Sequence, residues 1–219
     1  MKRHLDKLFD GKVIFRPDIL SLLRKNAYIC NIKLLSDSIM NRSIDTEAIV
    51  AKAVAYFKEG YNCSQSVVMA FCEWYGIPQA LMARFSASFG GGIGRMRETC
   101  GAACGMFMLA GLEVQDVDDS PAPLRLDVNP YPSQELKKKD YEVVQRLAAD
   151  FRAETGSIIC KELLGLNKKR ADGTIPEIKI VATPEARTDE YYRKRPCVRM
   201  VETAVRIYCN YLNEKYSKD

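Results

Sequence analysis

Histidine is almost missing from this chain: His4 is the only one in 219 residues. A Cys-His pair, a Ser-His-Asp triad and a histidine-rich zinc site all need that side chain. Any metal site must therefore be built mainly from cysteine, with or without carboxylates. Strand signals are also scarce. No Cys-x-x-Cys pair is present to suggest a thioredoxin-like redox motif, and no Cys-x-x-Cys-His haem attachment site exists. No apolar run approaches the length of a membrane span. The N-terminus, Met1-Lys2-Arg3-His4-Leu5-Asp6, is charged, and charges recur before any signal-like apolar core forms. The reading is a cytoplasmic protein.

What is present is cysteine, eight of them. In a reducing compartment that number suggests metal binding or redox chemistry more than a disulfide framework. The net charge of +5 is modest. Its basic clusters, Lys137-Lys138-Lys139, Lys168-Lys169-Arg170 and Arg193-Lys194-Arg195, read as solvated surface. No aromatic platform interleaves with them, so nucleic acid is not expected. A hydrophobic content of 47% is that of an ordinary globular protein.

The stretch Gly90-Gly91-Gly92-Ile93-Gly94 leads through Arg95 and Arg97 to Cys100 and then Cys104. Glycines allow positive φ and close backbone approach. The apolar run Met106 to Leu112 follows, so a flexible loop enters a buried helix. The loop is not a nucleotide motif. No Lys-Ser or Lys-Thr follows it, and helix rather than strand precedes it.

Helical periodicity dominates elsewhere. Asp45-Thr46-Glu47 opens a helix that Gly60 ends. Asn62 caps a second, with the stripe Cys63, Val67, Ala70, Phe71 and Trp74. Pro78 starts a third, to about Ala87. Val114 to Pro132 reads as loop, and Ser133 caps a long helix interrupted at Thr155-Gly156-Ser157. A short helix carries Cys160 and stops at Gly165. Residues 166 to 182 are polar, with Glu177 to Val181 a candidate extended stretch. Thr183-Pro184-Glu185 starts a helix that ends at Arg195-Pro196, where the last helix begins. The expected fold is all-α: one helical-bundle-like domain over residues 40–219, with a Gly-rich loop before its central helix. Residues 1–39 read either as an upstream extension or as a helical arm.

Cys63, Cys100, Cys160 and Cys197 each fall at a helix start, where the helix dipole favours a thiolate. Cys30, Cys72 and Cys209 lack that placement and read as small buried hydrophobes. Cys104 shares a helix face with Cys100. The helix start and the neighbouring Arg95 and Arg97 predict a lowered pKa for Cys100.

The run Cys100-Gly101-Ala102-Ala103-Cys104-Gly105 fits a Cys-Gly-Ala-x-x-Gly motif. With it, the ordered set Cys63, Cys100, Cys160 and Cys197 resembles the redox-active C-GCAxxG-C-C family over about Thr46 to Tyr211. The resemblance implies a four-cysteine redox function and assigns Cys104 no role. A related domain in a multihaem cytochrome suggests an iron–sulfur cluster.

The preferred expectation is one metal site with Cys63, Cys100, Cys160 and Cys197 as ligands. An iron–sulfur cluster for electron transfer comes before zinc. Gly90, Gly91, Gly92 and Gly94 would supply backbone N–H groups to it. The metal-free alternative is dithiol–disulfide exchange with Cys100 as nucleophile and Cys63 as its partner. A helical interaction module with incidental cysteines is the third reading. A redox partner is implied and its identity is not; oligomeric state and substrate have no signal in the chain.

Overall fold

A computed structural model describes residues 43–115, Leu124 and 133–216. Both readings of residues 1–39, and most of the loop expected at Val114 to Pro132, fall outside these residues, as does Cys30. The described part is all-α, as the periodicity predicts, with an isolated antiparallel bridge between Thr99 and Ile159 in place of any sheet.

Helix α1 spans Thr46–Lys58, and the Asp45 side chain accepts from Ala48 N–H at its start. Helix α2, Cys63–Ala70, has a full capping box. Asn62 accepts from Gln65 N–H, and Gln65 accepts from Asn62 N–H. The stripe through Trp74 predicts one helix here, but Phe71, at φ −101°, divides it into α2 and the single turn α3, Cys72–Tyr75. Phe71 is wholly buried at the break, edge-on to Tyr208 at 5.0 Å.

Helix α4, Gln79–Ser86, passes into a 3₁₀ turn, Ala87–Phe89, and the glycine run follows. Helix α5 is Gly101–Glu113 and α6 is Gln134–Thr155, capped by Ser133 and ended by left-handed Gly156. The single turn α7, Cys160–Leu163, precedes an irregular segment with no strand at Glu177 to Val181. Helix α8, Asp189–Lys194, starts later than Thr183-Pro184-Glu185 predicts, because Thr188 supplies the cap to Tyr191 N–H. Helix α9 is Cys197–Tyr216.

Helix α5 is buried on nearly every side, which fits its uniformly apolar sequence. It packs closely on α2 because its facing residues are small. A Cβ at Gly105 would lie 3.0 Å from Ser64 O and from Val67 Cβ. Helix α9 packs on α1, α2, α5 and α6, centring the core on Tyr208, Phe57, Phe71 and Phe151. A polar knot closes the far end of α5. Buried Glu113 pairs with Lys215 at 3.0 Å and accepts from Tyr75 and Tyr216 hydroxyls, so its charge is not left unpaired. No helix among the described residues is long and apolar enough to cross a membrane.

Candidate functional site: four thiols around one cavity

Cys63 and Cys197 are first residues of α2 and α9, Cys160 is the first residue of α7, and Cys100 is the residue that caps α5. All four line one cavity of about 300 Å³, together with Gly90, Gly91, Gly92 and Gly94. Cys104 does not line it; its thiol points back to Thr99 O at 3.8 Å. Cys72 and Cys209 lie elsewhere in the bundle; Cys209 is buried as expected, whereas Cys72 is only half-buried.

Two local devices bring the cysteines together. The Thr99–Ile159 bridge splices the starts of α5 and α7: Cys100 N–H donates to Ile158 O at 2.7 Å and Cys160 N–H to Glu98 O at 2.6 Å. Cys100 and Cys160 are thus diagonal neighbours across that bridge. The second device is the glycine run. Five consecutive residues from Gly91 to Arg95, and then Arg97, have positive φ. The chain makes a left-handed turn, closed by Gly94 N–H to Ser88 O at 2.7 Å and Glu98 N–H to Gly92 O at 3.1 Å. Gly92 needs its missing side chain, since a Cβ would fall 2.6 Å from Cys160 Cβ. At Gly101 it would fall 3.2 Å from Cys63 Cβ. Asn62 also donates to Ala87 O at 2.7 Å, tying the start of α2 to the base of the turn.

Each of the four thiols acts electrostatically on the other three. Cys63 and Cys197 perturb each other most strongly. The Cys63 thiol donates to the Cys197 sulfur, which raises Cys63 well above its ordinary value and lowers Cys197 to about 7. Arg195, Arg187 and Arg97 add to the lowering at Cys197. Burial pushes Cys160 up, against the pull of Arg97. Cys100 runs opposite to the sequence expectation. Burial pushes it up to about 12, although the N–H groups of Ala103 and Ala102 favour its charged form. Arg97 faces Cys160 and Cys197 instead, and the acidic thiol of the set is Cys197.

Four arginines line the cavity, Arg95, Arg97, Arg187 and Arg195, against the single carboxylate of Glu185. Arg187 and Glu185 carry no motif that marks them in the sequence, and Arg195 reads there as solvated surface. Arg195 instead turns inward to pair with Glu185. Its position just before Pro196-Cys197 was the available signal. Arg187 stacks over Phe57 at 4.4 Å and Tyr191 at 4.8 Å, fixing its guanidinium at the cavity wall.

Four guanidinium groups line the space that the four sulfurs share and offset negative charge there. Among the described residues, no three or more His, Cys, Asp or Glu side chains are grouped to hold a metal ion. The family model described as "Putative redox-active protein (C_GCAxxG_C_C)" matches residues 61–211. That span starts at α2 and includes all four cavity cysteines, leaving α1 outside. No curated protein and no solved structure matches the chain.

Proposed function

The chain belongs to the C_GCAxxG_C_C redox-active protein family, and on that footing we propose that Cys63, Cys100, Cys160 and Cys197 form one redox centre. Its proposed form is an iron–sulfur cluster held by the four thiolates. The observation that carries this reading is that all four thiols line one cavity, each from the start of a different helix.

A structural zinc site fits these residues poorly, because it needs four ligands around one point and no such group is formed among the described residues. A two-iron cluster asks for two cysteines at each iron. The donor set is compatible with that division: Cys63 and Cys197 perturb each other most strongly, and Cys100 lies diagonal to Cys160 across the bridge. When bound, the cluster supplies one-electron transfer. The chain's own part is to gather the thiols at helix starts, to offset their charge with Arg97, Arg187 and Arg195, and to keep Gly92 clear of Cys160. Anaerobic reconstitution with iron and sulfide should yield about two of each per chain. Failure to retain either would contradict the cluster.

A second form rests on the Cys63–Cys197 pair. Here the Cys197 thiolate attacks one sulfur of a substrate disulfide and expels the other half as a thiolate. Cys63 gives up its proton to that thiolate and attacks Cys197 Sγ, releasing the second half. The substrate gains two electrons and the chain is left with a Cys63–Cys197 disulfide. Metal-free protein that reversibly loses two thiols on mild oxidation, both mapped to this pair, would favour the second form over the first.

A further inference from the structure

The arginines around the thiols do more than balance charge. Glu185 sits in a cradle of three of them. Arg195 Nη2 donates to both of its carboxylate oxygens, and Arg95 and Arg97 lie at 3.6 and 3.8 Å. Arg97 is 8% exposed. Arg95 and Arg97 have φ of 68° and 65°, so the turn holds both cradle residues in a backbone conformation that costs a non-glycine residue energy. Nothing comparable fixes Glu185. It comes from the irregular segment between α7 and α8, which is exposed at every residue from 179 to 186.

That segment lies on the body as a strap. Arg95 Nε donates to Val181 O at 2.8 Å and Arg187 Nη2 to Tyr61 O at 3.2 Å, while Ala182, Pro184 and Glu185 line the cavity. A second observation concerns the same wall: Arg187 Nη1 is buried without any hydrogen-bond partner. An orphaned guanidinium N–H carries a desolvation penalty that an incoming acceptor would relieve.

We propose that the Arg95–Arg97–Arg195 cradle is a binding site for a small carboxylate or oxyanion ligand, and that Glu185 of the strap occupies it as an intramolecular stand-in. The ligand class follows from the occupant, a planar anion taken by one guanidinium through both oxygens. Ligand and Glu185 compete, so binding releases the strap and opens the cavity beside Cys160 and Cys197. The cradle is built from arginines alone and is the same whether the thiols hold a cluster or form a disulfide.

The test is a chemical-shift titration of the ¹⁵N-labelled full chain, with acetate and inorganic phosphate added separately at constant ionic strength. The Glu185→Gln variant removes the competing charge and should bind at least one probe about fivefold more tightly than the wild type, the equivalent of about 1 kcal/mol for a partly exposed ion pair. The shifts should centre on the side chains of Arg95, Arg97 and Arg195. Acetate alone would identify a carboxylate ligand, and phosphate a tetrahedral oxyanion. Adding Arg195→Gln to Glu185→Gln should abolish the gain, since it removes the charged nitrogen that reaches both carboxylate oxygens. Glu185→Asp, which keeps the charge and shortens its reach, should show a smaller gain in the same direction and covers the case in which Glu185→Gln misfolds. Equal affinity in wild type and both Glu185 variants, or shifts away from the three arginines, would overturn the proposal. Iron and sulfide content should not change in either Glu185 variant, which separates this failure from failure of the redox reading.

Discussion

Two cysteines show how far burial outweighs local sequence. Cys100 has a helix start and two nearby arginines, which together predict an acidic thiol. Arg97, however, points to Cys160 and Cys197, and burial leaves Cys100 at about 12. Cys197 keeps a proton donor, Cys63, and three guanidinium groups, and falls to about 7. A lowered pKa means that its thiolate fills in as pH rises through that value. In metal-free, fully reduced protein, alkylation followed by mass spectrometry should therefore half-label Cys197 near pH about 7, while Cys100 stays unlabelled well above neutrality. Labelling of Cys100 before Cys197 would contradict the assignment. The sequence places Arg95 and Arg97 near Cys100 in the chain, but only the left-handed turn decides where they point.

Among the elements, the helices were legible and the joints between them were not. Asn62 and Ser133 are caps in the structure as their residue types predict, and the apolar stripes of α1 and α9 face the core. The glycine run reads from sequence as a place for positive φ. What it does not reveal is that Ile93, Arg95 and Arg97 share that conformation, against the ordinary preference of side-chain-bearing residues. Nor does periodicity reveal the Thr99–Ile159 bridge, since a single pair has no period. Gly92 and Gly111 provide a matched comparison. Gly92 has φ +77° and its added Cβ would strike Cys160, whereas Gly111 in α5 has nothing within 4 Å. Gly92→Ala should cost about 1–3 kcal/mol in urea unfolding. Gly111→Ala should be neutral or stabilising by up to about 1 kcal/mol. Equal midpoints for the two variants would show that the turn tolerates a side chain beside Cys160.

At the scale of the whole molecule, the four cysteines are widely separated in sequence, and the fold brings them to one cavity. Their helix-start positions were visible in the sequence, and those positions are where α2, α5, α7 and α9 meet the cavity. The arginine lining was not visible. Arg187 and Arg195 come from a polar stretch whose composition resembles solvated surface, and only the strap and α8 turn them inward. Among the described residues outside the site, Cys209 is a fully buried core residue and Cys104 packs within α5. The central claim is that Cys63, Cys100, Cys160 and Cys197 act as a single redox unit. The most direct measurement is a reductive titration of the protein purified anaerobically, repeated for Cys→Ser variants at these four positions and at Cys104 and Cys209. Each of the four site variants should abolish the reversible couple or shift its midpoint, while Cys104→Ser and Cys209→Ser keep the wild-type midpoint. An unchanged midpoint in Cys100→Ser and Cys160→Ser would contradict the claim and leave at most the Cys63–Cys197 pair.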